Sequence, residues 1–348
     1  MNKALKVIGK ILLVWLIIHV VLLVICFFYQ LGAQKKDRTR LENDGFCNLV
    51  SAGDYNMNIN IYGDGKTKII AMPGSGDAAF TVDMKMLSEY LDDDISLVTV
   101  SRPGYGLCEE TDAEITTEYI VESTRTALKN AGIEAPYILM PHSLSGIYGT
   151  YWESTYPDEV SGVIFIASIN EASPEVTEED WREPPAVGKF LTKAGVLRVI
   201  SDITGASKDD SYGEYADAAA SLYGVNPTAF SRSCISELRN FNVNMKTAWA
   251  SIKSNSIPKI YISTNYYNPE DARAFVEYRD GEITEEAVQE VLESDLRQEP
   301  EEYRQKRSEY IKKLGNCKEV NLGGSHFIYF QRMEDFAKVV TDFVNKLN

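Results

Sequence analysis

Residues 137–146 read Y-I-L-M-P-H-S-L-S-G. Tyr137 to Met140 form a short apolar run of the kind that makes a strand buried on both faces, and residues 144–156 read as a helix. The chain must therefore pass from strand to helix within the few residues around Ser143. A serine hydroxyl is a poor nucleophile at neutral pH and needs both an adjacent base and an exposed position. A tight strand-to-helix turn supplies the exposure by lifting Oγ above the sheet edge, and it aims the next backbone N–H, that of Leu144, at a developing oxyanion. Such a turn is crowded two residues before and two after the serine. The usual pattern is G-x-S-x-G, whereas those places here hold Pro141 and Ser145.

The histidine inventory narrows the chemistry further. There are three: His19 in an apolar run, His142 immediately before Ser143, and His326 in G-G-S-H-F at 323–327. If the chain performs histidine-assisted serine chemistry, elimination leaves Ser143 as nucleophile and His326 as base. Two more segments fit. I-I-A-M-P-G-S-G at 69–76 is a strand ending in a glycine turn, where the Ser75 N–H would be a second oxyanion donor; one such donor is worth roughly 2.7–4 kcal/mol of barrier. V-S-R-P-G-Y-G-L at 100–107 follows the next strand.

Outward from these motifs, strand and helix alternate. Met57, Ile59 and Ile61 alternate with polar residues in a half-buried strand, and Gly63-Asp64-Gly65 turns into 67–72, so a β-hairpin is expected to open the domain. Helices are expected near 80–91 and 115–131, and strands at 95–100, 137–140 and 160–167. The rhythm breaks at 170–255, which reads as helices without a strand, then resumes with K-I-Y-I-S at 259–263. A charged helical segment at 284–314, K-E-V-N-L at 318–322 and a helix at 332–346 complete the chain. This pattern predicts a mostly parallel central sheet with helices on both faces, and a helical cap at 170–255 over the site.

The N-terminus is different in kind. Between Lys10 and Lys35 lie 24 uncharged residues, about 36 Å of helix, enough to cross a ~30 Å hydrocarbon core. The expected division is a basic tail at 1–10, a transmembrane helix at 11–34, a linker at 35–45 and the main domain from 46 to 348. The run is long for a cleaved signal, and Ile25 before Cys26 does not suit lipoprotein processing. Lys/Arg flank the span on both sides, so the positive-inside rule does not choose an orientation. A single N-terminal span commonly leaves the N-terminus in the cytoplasm, which would place the folded domain outside it. Residues 1–40 hold seven Lys/Arg and one acid, +6, so the total of −16 leaves −22 for the remainder. A body that acidic argues against a nucleic-acid partner. The five cysteines have no metal-ligand spacing.

In order along the chain, P-G-S-G, R-P-G-Y-G-L, P-H-S-L-S-G, Y-P-D-E-V at 156–160, the I-P at 257–258 and G-S-H-F at 324–327 resemble the motifs of α/β-hydrolase fold enzymes. With the anchor, the chain is similar to membrane-anchored bacterial serine hydrolases. The resemblance covers about 46–348 and implies Ser143, His326 and the Ser75 and Leu144 amides in the roles above, with no metal or organic cofactor. It also implies an acid between Ser143 and His326. By spacing, that place falls on Asn268; Asp271 is the nearest aspartate and is taken as the acid, with Glu270, Asn268 and, after the previous strand, Glu171 as alternatives. An aspartate in place of Ser143 would imply dehalogenase or epoxide hydrolase chemistry, whereas serine implies acyl transfer. The expected function is hydrolysis of an ester or thioester in a small acyl substrate. Phe190, Leu191, Tyr215, Tyr223 and Phe230 are candidate linings of an acyl pocket. An inactive binding or signalling module and an aminopeptidase using an acidic anchor at Glu178, Glu179 and Asp180 are the other readings, and the oligomeric state is left open.

Overall fold

The apolar runs assemble into one eight-stranded sheet of order β1-β2-β4-β3-β5-β6-β7-β8. The computed structural model describes residues 3–169, 185–206, 208–265, 268–293 and 301–347. The strands are β1 (Leu49–Ser51), β2 (Asn56–Tyr62), β3 (Thr67–Met72), β4 (Ile95–Val100), β5 (Tyr137–Pro141), β6 (Val160–Ile166), β7 (Asn255–Ser263) and β8 (Gly315–Asn321). From β4 to β8 every neighbouring pair is parallel; β2 joins β4 antiparallel. All six residues of β4 and all five of β5 are buried, as central parallel strands covered on both faces require.

Helices α1 (Lys3–Asn43), α2 (Phe80–Ser88), α3 (Thr117–Asn130) and α4 (Ser145–Thr155) precede β6 or flank the strands before it. The Thr116 side chain caps α3 by accepting the Tyr119 N–H, and its Ile120, Val121, Ala127 and Leu128 stripe is buried. One side of the sheet packs Val121, Leu128, Trp152 and Phe165, and the other packs Phe80, Met84, Ile164 and Phe336.

The expected hairpin does not form. β4 lies between β2 and β3, so these consecutive strands are not partners. The link between them instead crosses the start of β4, where Gly63 and Gly65 run so close to the Ile95 and Asp94 backbones that a Cβ on either would collide. β3, buried at its centre, takes a parallel neighbour on each side, and β2 is left to pair outside β4.

Between β6 and β7, the described part of 170–255 carries α5 (Ala186–Lys193), α6 (Val196–Thr204), α7 (Ala216–Val225), α8 (Arg232–Arg239) and α9 (Phe241–Ser251). The charged segment 284–314 follows α10 (Pro269–Asp280) as α11 (Glu285–Glu293) and α12 (Glu301–Leu314). After β8, α13 (Ile328–Gln331) and α14 (Met333–Val344) end the chain.

The segment read as a linker, 35–45, is helical as far as Asn43. α1 is long and apolar enough to cross a membrane over its N-terminal part, and its C-terminal part belongs to the folded domain. Leu41 is fully buried beside Ala218, Ala219 and Leu222 of α7. Asp37 is buried and paired with Arg198 of α6 at 2.6 Å. Those contacts keep the helix wound where composition alone reads as a charged flank.

Candidate active site

Ser143 occupies the turn between β5 and α4 with φ +51°, one of two non-glycine residues in the left-handed region among the described residues. That conformation costs of order 1 kcal/mol or more and persists only where the surroundings enforce it. Here they do. The His142 N–H donates to Met72 O of β3 at 3.0 Å, the Ser143 N–H donates to Ile166 O of β6 at 3.0 Å, and Ser143 O accepts from Gly146 and Ile169. The turn is thus clamped between both neighbouring strands.

The two departures from G-x-S-x-G have physical counterparts. The Pro141 ring fits because residue 149, one turn into α4, is glycine; a Cβ there would lie 2.7 Å from Pro141 Cγ. Gly146 lets α4 approach the segment after β6, since a Cβ would be 2.5 Å from that of Ser168. Ser145 adds a function that glycine lacks. Its hydroxyl donates to Pro73 O at 2.6 Å and accepts from Arg102 at 2.6 Å.

Arg102, the arginine of R-P-G-Y-G-L, organises the facing loop. It donates to Pro73 O at 2.5 Å and Gly74 O at 2.7 Å, which turns these carbonyls away from Ser143. Gly74 then packs directly on the turn: a Cβ there would be 3.2 Å from Ser143 Cβ and 2.8 Å from His142 Nδ1. Among the described residues, neither the Ser75 nor the Leu144 N–H donates to a turn or loop acceptor.

Glu237 of α8 completes this network and was not singled out from sequence. Its carboxylate lies 2.7 Å from Arg102 Nε and accepts from the Tyr105 and Tyr148 hydroxyls at 2.6 Å each. No local pattern marks it, because its partners lie 89 to 135 positions away in the chain.

His142 is fully buried, and its Nε2 lies 3.0 Å from His326 O. A carbonyl only accepts, so Nε2 carries the proton; the unprotonated Nδ1 lies 3.4 Å from the Tyr329 hydroxyl, whose single proton goes elsewhere. Desolvation, then the nearby His326, pushes its pKa down to about 3, so the ring is neutral. It ties the His326 loop to the Ser143 turn. Tyr329 in turn donates to Asp77 Oδ2 at 3.1 Å; burial raises Asp77 to about 6.

His326 lies between β8 and α13, its ring centroid 4.7 Å from that of His142. Partial desolvation of the ring lowers its pKa below the ordinary histidine value. No hydrogen bond joins Ser143 Oγ to His326, and among the described residues no carboxylate bonds the His326 ring.

Asp271, in the first turn of α10, packs its carboxyl against Gly323, three residues before His326. Its oxygens face elsewhere: Asn268 donates to it at 2.8 Å, Asn321 at 3.5 Å, and Arg332 lies 3.5 Å away. Desolvation outweighs Arg332 and raises its pKa. Asn268 is the N-cap of α10, accepting the Asp271 N–H at 2.9 Å, and Glu270 is exposed. Glu171 and the acidic trio 178–180 lie outside the described residues. At the end of β6, where the alternative acid would stand, Ala167 holds a left-handed φ of +41° but offers no carboxylate.

No family model matches the chain. It is 36% identical over 138 residues to the uncharacterized protein YbdG of Bacillus subtilis, which is 40% of this chain and 42% of that one. It is 26% identical over 130 residues to an uncharacterized protein of Schizosaccharomyces pombe, 36% of this chain and 24% of that one. The chain thus spans less than half the length of these curated relatives. Among solved structures it is similar to the haloalkane dehalogenase DatA of Agrobacterium tumefaciens, with a TM-score of 0.54 at 14% identity, over 86% of this chain and 96% of that one. It is also similar to a bromoperoxidase of Bacillus anthracis, with a TM-score of 0.50 at 14% identity, over 86% and 99%. The parallel sheet, the turn that carries Ser143 and these likenesses agree: the chain has the α/β-hydrolase fold.

Proposed function

We propose that the protein is a membrane-anchored serine hydrolase acting on an ester-type bond, carboxylester or thioester. The observation that carries this reading is Ser143, held at φ +51° between β5 and α4 with the Gly74 loop against it. Ser143 Oγ attacks the acyl carbonyl as His326 takes its proton. The Ser75 and Leu144 amides stabilise the oxyanion. His326 then returns the proton to the leaving group, and water hydrolyses the acyl-enzyme by the same route. Asp271 is proposed as the acid, because it follows β7 and packs on the His326 loop. α1 is the anchor, single-pass, with the domain outside the cytoplasm, and the helical insertion is the cap.

The solved neighbours include a dehalogenase, but a serine at the nucleophile position favours acyl transfer over displacement at carbon. One observation favours a second reading: the His326 ring has no bonded carboxylate among the described residues, as expected of an inactive binding module. One experiment separates the two. The full-length chain in detergent is treated with a fluorophosphonate probe beside Ser143→Ala, His326→Ala and Asp271→Asn. Labelling should vanish in the first variant and fall steeply in the second and third. A folded wild type that stays unlabelled would favour the binding module, and Asp271→Asn labelling at the wild-type rate would remove Asp271 from the triad.

A further inference from the structure

We propose that α5 and α6 are a membrane-docking platform whose apolar ridges lie in the bilayer interface beside α1, pressing the insertion face of the domain onto the membrane. The inference rests on α1 being the anchor, and it concerns the surface around that anchor.

Both helices are amphipathic with the apolar side outward. Val187 and Phe190 of α5, and Leu197, Ile200 and Ile203 of α6, recur at i, i+3 spacing and are exposed; Ile203 is 81% exposed and Phe190 54%. Residues at that spacing share one helix face. The polar side of α6 is the one that meets α1. Arg198 pairs with Asp37 at 2.6 Å, and Tyr29 donates to Asp202 at 2.9 Å. A water-facing helix on a soluble domain would be turned the other way.

The depth along α1 identifies what covers the ridge. Gly195, at the corner between α5 and α6, abuts α1 so closely that a Cβ would lie 2.3 Å from Cys26 O and 2.8 Å from Gln30 Cβ. From Ile11 to Cys26 the helix rises about 23 Å, and a hydrocarbon core is ~30 Å thick. The corner therefore stands about 7 Å short of the outer boundary of the hydrocarbon, a level at which Ile25, Phe28 and Leu31 of α1 are themselves exposed. The ridges of α5 and α6 continue that surface sideways. An apolar ridge at this height, joined to a helix that needs lipid around it, fits the acyl–headgroup boundary of one leaflet.

The test uses the full-length chain reconstituted in phosphatidylcholine vesicles, with and without brominated acyl chains, which quench tryptophan on contact. Ile203→Trp and Phe190→Trp add a reporter on each ridge, and Ile61→Trp, at an exposed apolar residue of β2, is the control. The four native tryptophans form the background, and Trp15 within α1 reports whether the anchor is in lipid. The expected result is that Trp15 is quenched, the emission added at 203 and 190 is mostly lost, and that added at 61 is kept. Quenched Trp15 with unquenched 203 and 190 overturns the platform alone. Unquenched Trp15 overturns the anchor and the platform together. Neither readout depends on catalytic activity, so a failure of the hydrolase reading is seen separately.

Discussion

Replacing Glu237 by glutamine tests whether the insertion organises the region around Ser143 through Arg102. Both side chains are almost completely buried, 5% and 2% exposed, at 2.7 Å. Breaking such a pair by neutralising one partner costs about 3–5 kcal/mol, because a charge is left in a low-dielectric interior. The amide still accepts one tyrosine hydrogen bond, so the lower half of that range is expected. At roughly 2–4 °C per kcal/mol, the melting temperature should fall by on the order of 10 °C. Arg102 also holds the Pro73 and Gly74 carbonyls, so the Ser75 amide should lose its aim. Loss of one oxyanion donor costs about 10²–10³ in rate, which bounds the drop in fluorophosphonate labelling. Glu159→Gln is the control: its bond to Arg125 is partly exposed, at 28% and 26%, and should be worth no more than about 1 kcal/mol. Both quantities are read on the full-length chain, melting by circular dichroism and labelling by gel fluorescence. If Glu237→Gln melts and labels like Glu159→Gln, the network does not hold the loop and the reasoning is wrong.

Three further outcomes are expected. His326 must be neutral to act as base, and its pKa is lowered by desolvation, so the labelling rate should stay high down to below the ordinary value of about 6.5 before it falls; an acid limb centred above 7 would contradict this. His142, pushed down to about 3, makes a contribution to stability that is fully present above about pH 6.5 and is lost as pH falls toward 3. Asp77, raised to about 6, acts oppositely between about 3.8 and 6, so the wild type should lose stability only gently from pH 7 to 5. His142→Asn should lose less over that range or gain, and an unchanged slope in melting temperature would count against a neutral buried ring. Finally, Gly149→Ala should destabilise by about 1–3 kcal/mol through overpacking against Pro141; Pro141→Ala should recover part of this in a double-mutant cycle, and strict additivity would show that the two positions do not meet.

The candidate site was legible where its signals are local. Ser143 and His326 follow from a histidine count and from a strand that runs straight into a helix, and both come to the same end of the sheet. Asp271 was taken as the aspartate nearest the place that spacing gives, and it does reach the His326 loop, yet its carboxylate faces Asn268, Asn321 and Arg332. Spacing locates a residue on an element and says nothing about which way its oxygens turn. Asn268, an alternative for the same role, proves to be a helix cap, a role its neighbour Pro269 hints at.

Periodicity and apolar run length are properties of neighbouring residues, so the sequence by itself determined the strand–helix rhythm, the parallel sheet, the apolar N-terminal helix and the candidate nucleophile and base. Tertiary structure alone decided that β4 separates β2 from β3, that α1 stays helical through 35–43 into the domain, and that Glu237 reaches across to Arg102. Each of these depends on partners far away in the chain: Leu41 is buried by α7, Asp37 meets Arg198, and Pro141 is accommodated by a glycine on the next turn of α4. Burial and pairing of that kind are set by how finished elements pack, which no window of adjacent residues contains.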